Sequence, residues 1–285
     1  MYKLIAIDMD GTLLNDHHEV TAEVRGALDA AKAEGVNIVL CTGRPIGGVR
    51  RYLEELNLQE EGDFVIAYNG ALVQNTYTNG VVAEQSLGFE DLESLYELSL
   101  QLDTPMHYFD TANLYTPNRD ISEYTVYESY ITKVPLHFRT IDEVPKDILI
   151  PKVMFIDDPD KLEKAIASIP ESFRETYTMV KSAPFFHEIL HPKVSKGNAV
   201  KLLAEKLGIE QKDVMAIGDN GNDMSMIQWA GCGVAMANAI PEVREIADYE
   251  TKSNNEHGVA HAIQELVLKI GTPSEGAFLR RVLVI

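Results

Sequence analysis

Two aspartates two positions apart, Asp8 and Asp10, lie in the run Asp8-Met9-Asp10-Gly11-Thr12. Directly ahead of them is Leu4-Ile5-Ala6-Ile7, a short apolar run that predicts a strand. Carboxylates this close repel each other unless a cation or a shared proton neutralises them. A helix cap or an Asx-turn accounts for most single aspartates at a strand end. A pair on a tight glycine-containing turn points to function instead.

Three further groups have the same placement. Thr42-Gly43-Arg44 follows a second apolar run, residues 36–40, and offers a hydroxyl, an unhindered glycine N–H and a guanidinium. Together these can cradle a phosphate, although alone they also fit a capped loop with a surface arginine. Lys196-Gly197 opens a predicted helix, where a cation opposes the positive end of the helix dipole. An anion beside it resolves that conflict; a solvated lysine is the plainer reading. Gly218-Asp219-Asn220-Gly221-Asn222-Asp223 follows another strand-like run, residues 214–217. Its oxygen donors suit a hard cation such as Mg²⁺, and they also suit a capped turn.

The elements that would position these groups alternate at both ends of the chain. Residues 4–7, 36–40 and 64–67 read as strands. Residues 21–34 read as a helix, with Thr21 as N-cap and Gly35 as its stop, and a second helix runs from Pro45 to Leu56. Asn69-Gly70 is a turn signal. From Ser195 the alternation returns: helices over 197–207, 222–229, from Pro241 and over 257–270, with strands over 214–217 and 233–236. Such alternation predicts a parallel sheet whose carboxyl edge gathers ligand-binding residues. Residues 84–191 break the rhythm. Helix-like segments at 89–102, 120–130 and 159–169 mix with grouped strands near Tyr108, Tyr115, Phe138, 153–156 and 185–190, which predicts an α+β insert with an antiparallel sheet. The tail after Ile270 fits no pattern.

Composition narrows the partners. The 285 residues carry 25 basic against 44 acidic side chains, a net charge of −19, which argues against nucleic acid and anionic membranes. A local cluster of cations and N–H groups can still hold one phosphate. Cys41 and Cys232 are far apart and lie in apolar runs, with neither metal spacing nor a disulfide framework, so a reducing compartment is expected. No secretory signal or membrane span is legible, and the expected location is cytoplasmic.

Taken in order, Asp-x-Asp-Gly-Thr, Thr-Gly-Arg, Lys-Gly and Gly-Asp-x-x-Asn-Asp resemble the four motifs of the haloacid dehalogenase superfamily. The chain is similar to the Cof-type branch of sugar phosphatases, and to its YidA-like enzymes, from Lys3 to about Ile270. Tyr68-Asn69-Gly70-Ala71, Lys181-Ser182-Ala183-Pro184 and Ala235-Met236-Ala237-Asn238-Ala239 are shared features as well. The resemblance implies a doubly wound, Rossmann-like α/β core over residues 1–83 and 192–271. An inserted α+β cap of the C2 type would fill 84–191, leaving 272–285 unassigned. It implies a Mg²⁺-dependent phosphatase acting on small phosphorylated metabolites. Asp8 would be the nucleophile and Asp10 the general acid and base. Asp8, Asp10 (through its backbone carbonyl) and Asp219 would hold the metal, with Asp223 beside them. Met9, Thr42, Gly43, Lys196 and Asn222 would grip the phosphate. Arg44, His187, Glu188 and the tyrosines around Tyr115 and Tyr124 are candidate substrate contacts. A phosphomutase, a phosphate receiver and a non-catalytic binder are the rival classes. The expected assembly is a monomer or a homodimer.

Overall fold

A computed structural model of the chain describes residues 2–268. The unassigned tail and the end of the expected last helix lie outside them. The described chain separates into two compact units. One holds the chain up to Gly43, Tyr52–Ala83 and the chain from Ser195 onward; the other holds Arg44–Arg51 and Glu84–Val194.

The first unit is built on β1 (Leu4–Ile7), α1 (Ala22–Ala33), β2 (Asn37–Cys41), the end of α2 (Ile46–Glu55), whose first six residues belong to the second unit, β3 (Phe64–Ala67), β4 (Leu72–Asn75) and β5 (Val81–Glu84). In α1 the Thr21 hydroxyl accepts from the Val24 N–H at 3.4 Å. Val24, Ala27, Leu28 and Ala31 form its buried stripe, and Gly35 ends it with φ of +80°. All four residues of β1 are buried, as expected of a strand covered on both faces.

The second unit contributes α3 (Phe89–Gln101), β6 (Met106–Phe109), β7 (Leu114–Thr116), α4 (Glu123–Thr132), β8 (Leu136–Phe138), β9 (Lys152–Ile156), α5 (Pro159–Ala167), α6 (Glu171–Thr176), β10 (Thr178–Ala183) and β11 (Phe186–Leu190). Its sheet has the order β10-β11-β9-β6-β7-β8. The pairs are antiparallel except β7–β8, which runs parallel, a departure from the expected all-antiparallel insert. Alternation along the strands divides its faces. Met106, Tyr108, Val153, Phe155 and Ile189 pack with Leu92, Leu95 and Leu98 of α3 and Leu162 of α5 in one apolar cluster. His107, Lys152 and Glu188 point the other way, toward α4. There Lys152 Nζ lies 3.1 Å from Glu188 Oε1 and 3.7 Å from Glu128 Oε1.

The chain returns to the first unit through α7 (Lys196–Lys206), β12 (Val214–Gly218), α8 (Met224–Trp229), β13 (Cys232–Ala235), α9 (Pro241–Ile246), β14 (Tyr249–Glu250) and α10 (Gly258–Ile263). The sheet order is β14-β13-β12-β1-β2-β3-β4-β5. The strands from β14 to β3 pair in parallel, and β4 joins β3 antiparallel. Strand order reverses at β1: β2 and β3 follow on one side, β12 to β14 on the other. That switch point is where an open α/β sheet leaves a crevice beyond its carboxyl ends. Among the described residues no helix is long and apolar enough to cross a membrane.

Candidate active site

β1 delivers Asp8 to the crevice. Its N–H continues the parallel ladder, donating to the Ile217 carbonyl of β12 at 3.0 Å. The loop then folds back on itself, with the Leu13 N–H on the Asp8 carbonyl at 3.2 Å and the Leu14 N–H on the Met9 carbonyl at 2.9 Å. Gly11 makes the bend with φ of +82°, and a Cβ there would lie 2.6 Å from Asp219 Oδ2. Only glycine meets both demands. Asp8 and Met9 are buried. The Asp10 side chain is half exposed, with His18 Nδ1 3.8 Å from its Oδ1.

Lys196 arrives from the start of α7, where Ser195 caps the helix by accepting from the Asn198 N–H. Its ammonium is fully buried, 2.5 Å from Asp8 Oδ1 and 2.6 Å from Asp223 Oδ1. Two carboxylates thus resolve the unfavourable placement of a cation at a helix N-terminus. Burial opposes the charge on Lys196, but Asp223 and Asp8 outweigh it and hold the ammonium above its usual range. Asp223 is anchored from its other oxygen, which accepts from the Asp219 and Asn220 N–H groups at 2.9 Å each. Asp219 Oδ1 accepts from the Thr12 hydroxyl at 2.8 Å.

Asp8, Asp219 and Asp223 each place one oxygen within 4.8 Å of the others. Three carboxylates around one ammonium leave excess negative charge in a buried place. Burial first, then Asp223, raises the Asp8 carboxyl well above the usual carboxylate range, although Lys196 pulls against them. Burial likewise lifts Asp219 to about 6, with Thr12 opposing and Asp223 adding to the rise. A hard divalent cation fits this donor set, because its charge would offset the negative charge that burial and the neighbouring carboxylates penalise. The Asp10 carboxylate is not in this triple. Asp223, expected beside the ligands, is itself one of the triple.

At the end of β2, Thr42 is buried. Its N–H donates to the Ile66 carbonyl and its carbonyl accepts from the Asn69 N–H, each at 2.9 Å. Asn69 holds a left-handed φ of 57° in the turn after β3. Its Oδ1 accepts from Asn222 Nδ2 at 2.9 Å. A Cβ on Gly43 would meet the Asn69 amide at 3.1 Å. The structure therefore brings Thr42, Gly43, Asn69 and Asn222 together, and separately joins Asp8, Lys196, Asp219 and Asp223. Arg44 groups with the second unit, where its Nη1 donates to the Gly48 carbonyl at 3.4 Å.

The candidates in the second unit fall on different surfaces. His187 is buried with neither ring nitrogen bonded, and burial lowers its pKa to about 4. It shares a strand face with Ile189 of the apolar cluster, whereas Glu188 faces Lys152. Tyr115 stacks on Tyr108 of the same cluster. Tyr124 stacks on Phe185.

Sequence reasoning did not single out Thr12, Asn69 or Asn238 as parts of a site. Asn238 Nδ2 donates to the Gly11 carbonyl at 2.8 Å, and its Oδ1 accepts from the Asn254 N–H at 3.0 Å. Thr12 lay inside the first motif, and the other two inside runs noted only as shared features. Their hydrogen bonds to distant loops were the missing signal.

The sequence profile of haloacid dehalogenase-like hydrolases matches residues 5–263. The chain belongs to the haloacid dehalogenase-like hydrolases. Within this family it is 78% identical to YxeH of Bacillus subtilis, a provisionally named phosphatase, over 94% of this chain and 99% of that one. It is 34% identical to the 5-amino-6-(5-phospho-D-ribitylamino)uracil phosphatase YcsE of the same organism, over 93% of this chain and 96% of that one. A crystal structure of a haloacid dehalogenase-like hydrolase from Bacteroides thetaiotaomicron superposes with a TM-score of 0.84 at 31% identity, covering 93% of this chain and all of the other.

Proposed function

We propose that the protein is a magnesium-dependent phosphatase that passes the phosphoryl group of a small phosphorylated metabolite through Asp8 to water. The observation that carries this reading is the buried contact of Lys196 with both Asp8 and Asp223, beside Asp219, at the switch point of the sheet. A nucleophilic carboxylate must be ionised, and this arrangement supplies one fixed cation while leaving excess negative charge for a second.

Asp8, the Asp10 backbone carbonyl and Asp219 would hold Mg²⁺, with Asp223 orienting Lys196 and the loop after β12. When bound, the ion supplies positive charge between the nucleophile and the phosphoryl oxygens. A carboxylate oxygen of Asp8 attacks phosphorus in line; the P–O bond to the leaving group breaks and its alkoxide takes a proton from Asp10. Asp10, now a carboxylate, removes a proton from the water that attacks the aspartyl-phosphate, which returns Asp8 and releases phosphate. Thr42, the N–H groups of Gly43 and Met9, Lys196 and Asn222 would hold the phosphoryl oxygens, with Asn69 fixing the Asn222 amide. Arg44 and Glu188 remain candidates for selecting the leaving group. His187, buried on the strand face it shares with Ile189, is a weaker one.

A phosphorylated sugar or polyol is the proposed substrate class, supported by two relatives at 31% and 34% identity whose names specify a phosphoribityl compound. The test is a panel of phosphorylated metabolites assayed with Mg²⁺ for free phosphate, run beside Asp8→Asn. Free phosphate from a sugar or polyol phosphate is expected. An isomeric sugar phosphate would instead mean a mutase, and a stable phosphoprotein a receiver. Retention of even a tenth of kcat by Asp8→Asn, a loss of only about 1.4 kcal/mol in barrier, would remove Asp8 as nucleophile.

A further inference from the structure

An amphipathic helix lying on a sheet turns its apolar stripe inward, and α4 does the reverse. Its buried residues are Thr125, Glu128 and Thr132, at i, i+3 and i+7. Each has a polar partner: Thr125 bonds His107 at 3.1 Å, Glu128 faces Lys152, and the Thr132 hydroxyl donates to the Glu128 carbonyl at 2.6 Å. The opposite side carries Val126, Tyr127, Tyr130 and Ile131. All four are exposed, Tyr130 to 70% and Val126 to 52%. Phe185 widens this surface by stacking on Tyr124 and meeting Tyr127 edge-on. The helix is therefore anchored by polar contacts; on its apolar side Tyr127 meets Phe185 and Phe186, while Val126, Tyr130 and Ile131 stay exposed.

Charge along that outer side is ordered. Glu123 opens it, and Asp157 and Asp158 lie near Tyr124 at the same end. Lys133 closes it, with Nζ 4.0 Å above the Tyr130 ring. At 100° per residue Glu123, Tyr127 and Tyr130 lie within about 40° of one line down the helix, and Val126 and Lys133 flank them.

We propose that the outer face of α4 is a self-association surface, on which a second copy of this chain docks its own α4 antiparallel across a two-fold axis. An isologous pair centred on Glu128 sets Val126 of each copy against Tyr130 of the other, and Glu123 against Lys133. The acidic end of each helix then meets the basic end of its mate. Two copies with a net charge of −19 each repel overall; on this face the short-range pairing of Glu123 with Lys133 at both ends works against that repulsion. A ten-residue helix is about 15 Å long, so the pair buries less than the roughly 1,200 Å² of a standard interface. The dimer is accordingly weak, with Kd on the order of 10–100 μM. This inference does not depend on the proposed reaction.

Sedimentation of the full chain from about 1 to about 500 μM, at low and moderate salt, tests it. The wild type should pass from monomer to dimer over this range. Tyr130→Asp should weaken association at least about tenfold. Glu123→Lys and Lys133→Glu should each weaken it about fivefold or more, and the two together should restore it to within about twofold of wild type. Circular dichroism checks that these surface changes leave the fold intact. A wild type that stays monomeric at the highest concentration overturns the proposal. So does dimerisation indifferent to Tyr130→Asp, or single charge reversals without effect or without mutual rescue. Loss of kcat/KM with unchanged association would assign the face to substrate instead.

Discussion

Lys196 Nζ and Asp8 Oδ1 stand 2.5 Å apart in a fully buried pocket, joined across 188 residues of sequence. Lys196→Met keeps most of the side-chain length and removes the charge. Asp8 and Asp223 are then buried carboxylates without a fixed counter-ion, a loss worth roughly 3–5 kcal/mol. Urea denaturation should show that destabilisation. Phosphate release should fall at least about a hundredfold, because the phosphoryl oxygens lose a cation as well. A variant as stable as wild type would mean that the pair is not the counter-charge described.

Asp10→Asn should slow both halves of the proposed reaction, but unequally with leaving group. An acidic phenol needs little protonation to depart, so an aryl phosphate should load the variant with phosphoenzyme that then persists. Rapid-quench labelling should trap phospho-aspartate in the variant and not in wild type. Equal dephosphorylation rates in the two would take Asp10 out of the second step.

Mg²⁺ should raise the melting temperature of the wild type. At a hundred times Kd the linked stabilisation is about 2.7 kcal/mol, enough for a shift of several degrees. Asp219→Asn should abolish most of that shift, while inorganic phosphate release measured separately reports on turnover. An identical Mg²⁺-dependent shift in the variant would exclude Asp219 from the cation site.

His107 gives the second unit an acid sensitivity. Burial, aided by the nearby Lys152 charge, holds its folded pKa well below 6.5. The unfolded chain therefore takes up a proton below about pH 6.5 and the native chain does not. This stability is fully present above the unfolded pKa and is lost as pH falls through the window toward the folded value. The slope is at most about 1.4 kcal/mol per pH unit. His187, lowered to about 4, acts in the same direction. Glu128, raised mainly by burial, acts in the opposite one. Denaturation midpoints at pH 7.5, 6 and 5 for wild type and His107→Gln isolate the contribution. The variant should show the shallower dependence; parallel curves would show that His107 titrates normally.

Much of the core was readable because its signals are local. The Thr21 cap, the Gly35 stop and the 3–4 spacing of Val24, Ala27, Leu28 and Ala31 are all carried by the segment that forms α1. β4 and β5 were not foreseen. Asn69-Gly70 suggests a two-residue hairpin, whereas Tyr68 and Asn69 both adopt left-handed angles in a 3₁₀ turn, and the reversal follows. β10 also escaped notice: it is half exposed and polar, and its partner β11 supplies the order. At the site, the four motifs identified the charged groups. Thr12, Asn69 and Asn238 gain meaning only from hydrogen bonds between distant loops. His187 and Glu188 were read alike, yet neighbours on one strand face opposite ways, so one shares the face of Ile189 and the other meets Lys152 in an ion pair.

The register Leu4↔Val214 beside Leu4↔Asn37 has a consequence for biosynthesis. β1 leaves the ribosome ahead of β2 and can pair with it within a few dozen residues. Its second neighbour, β12, is translated only after the whole of Glu84–Val194. Until then Asp8 sits at the raw edge of an unfinished sheet, with neither Asp219 nor Asp223 yet made. Closing that last parallel pairing bridges a long excursion, the kind of non-local step that slows folding and leaves apolar edge exposed. A nascent chain stalled before β12 would present β1 to chaperones, while the intervening unit, complete by Val194, could already have collapsed.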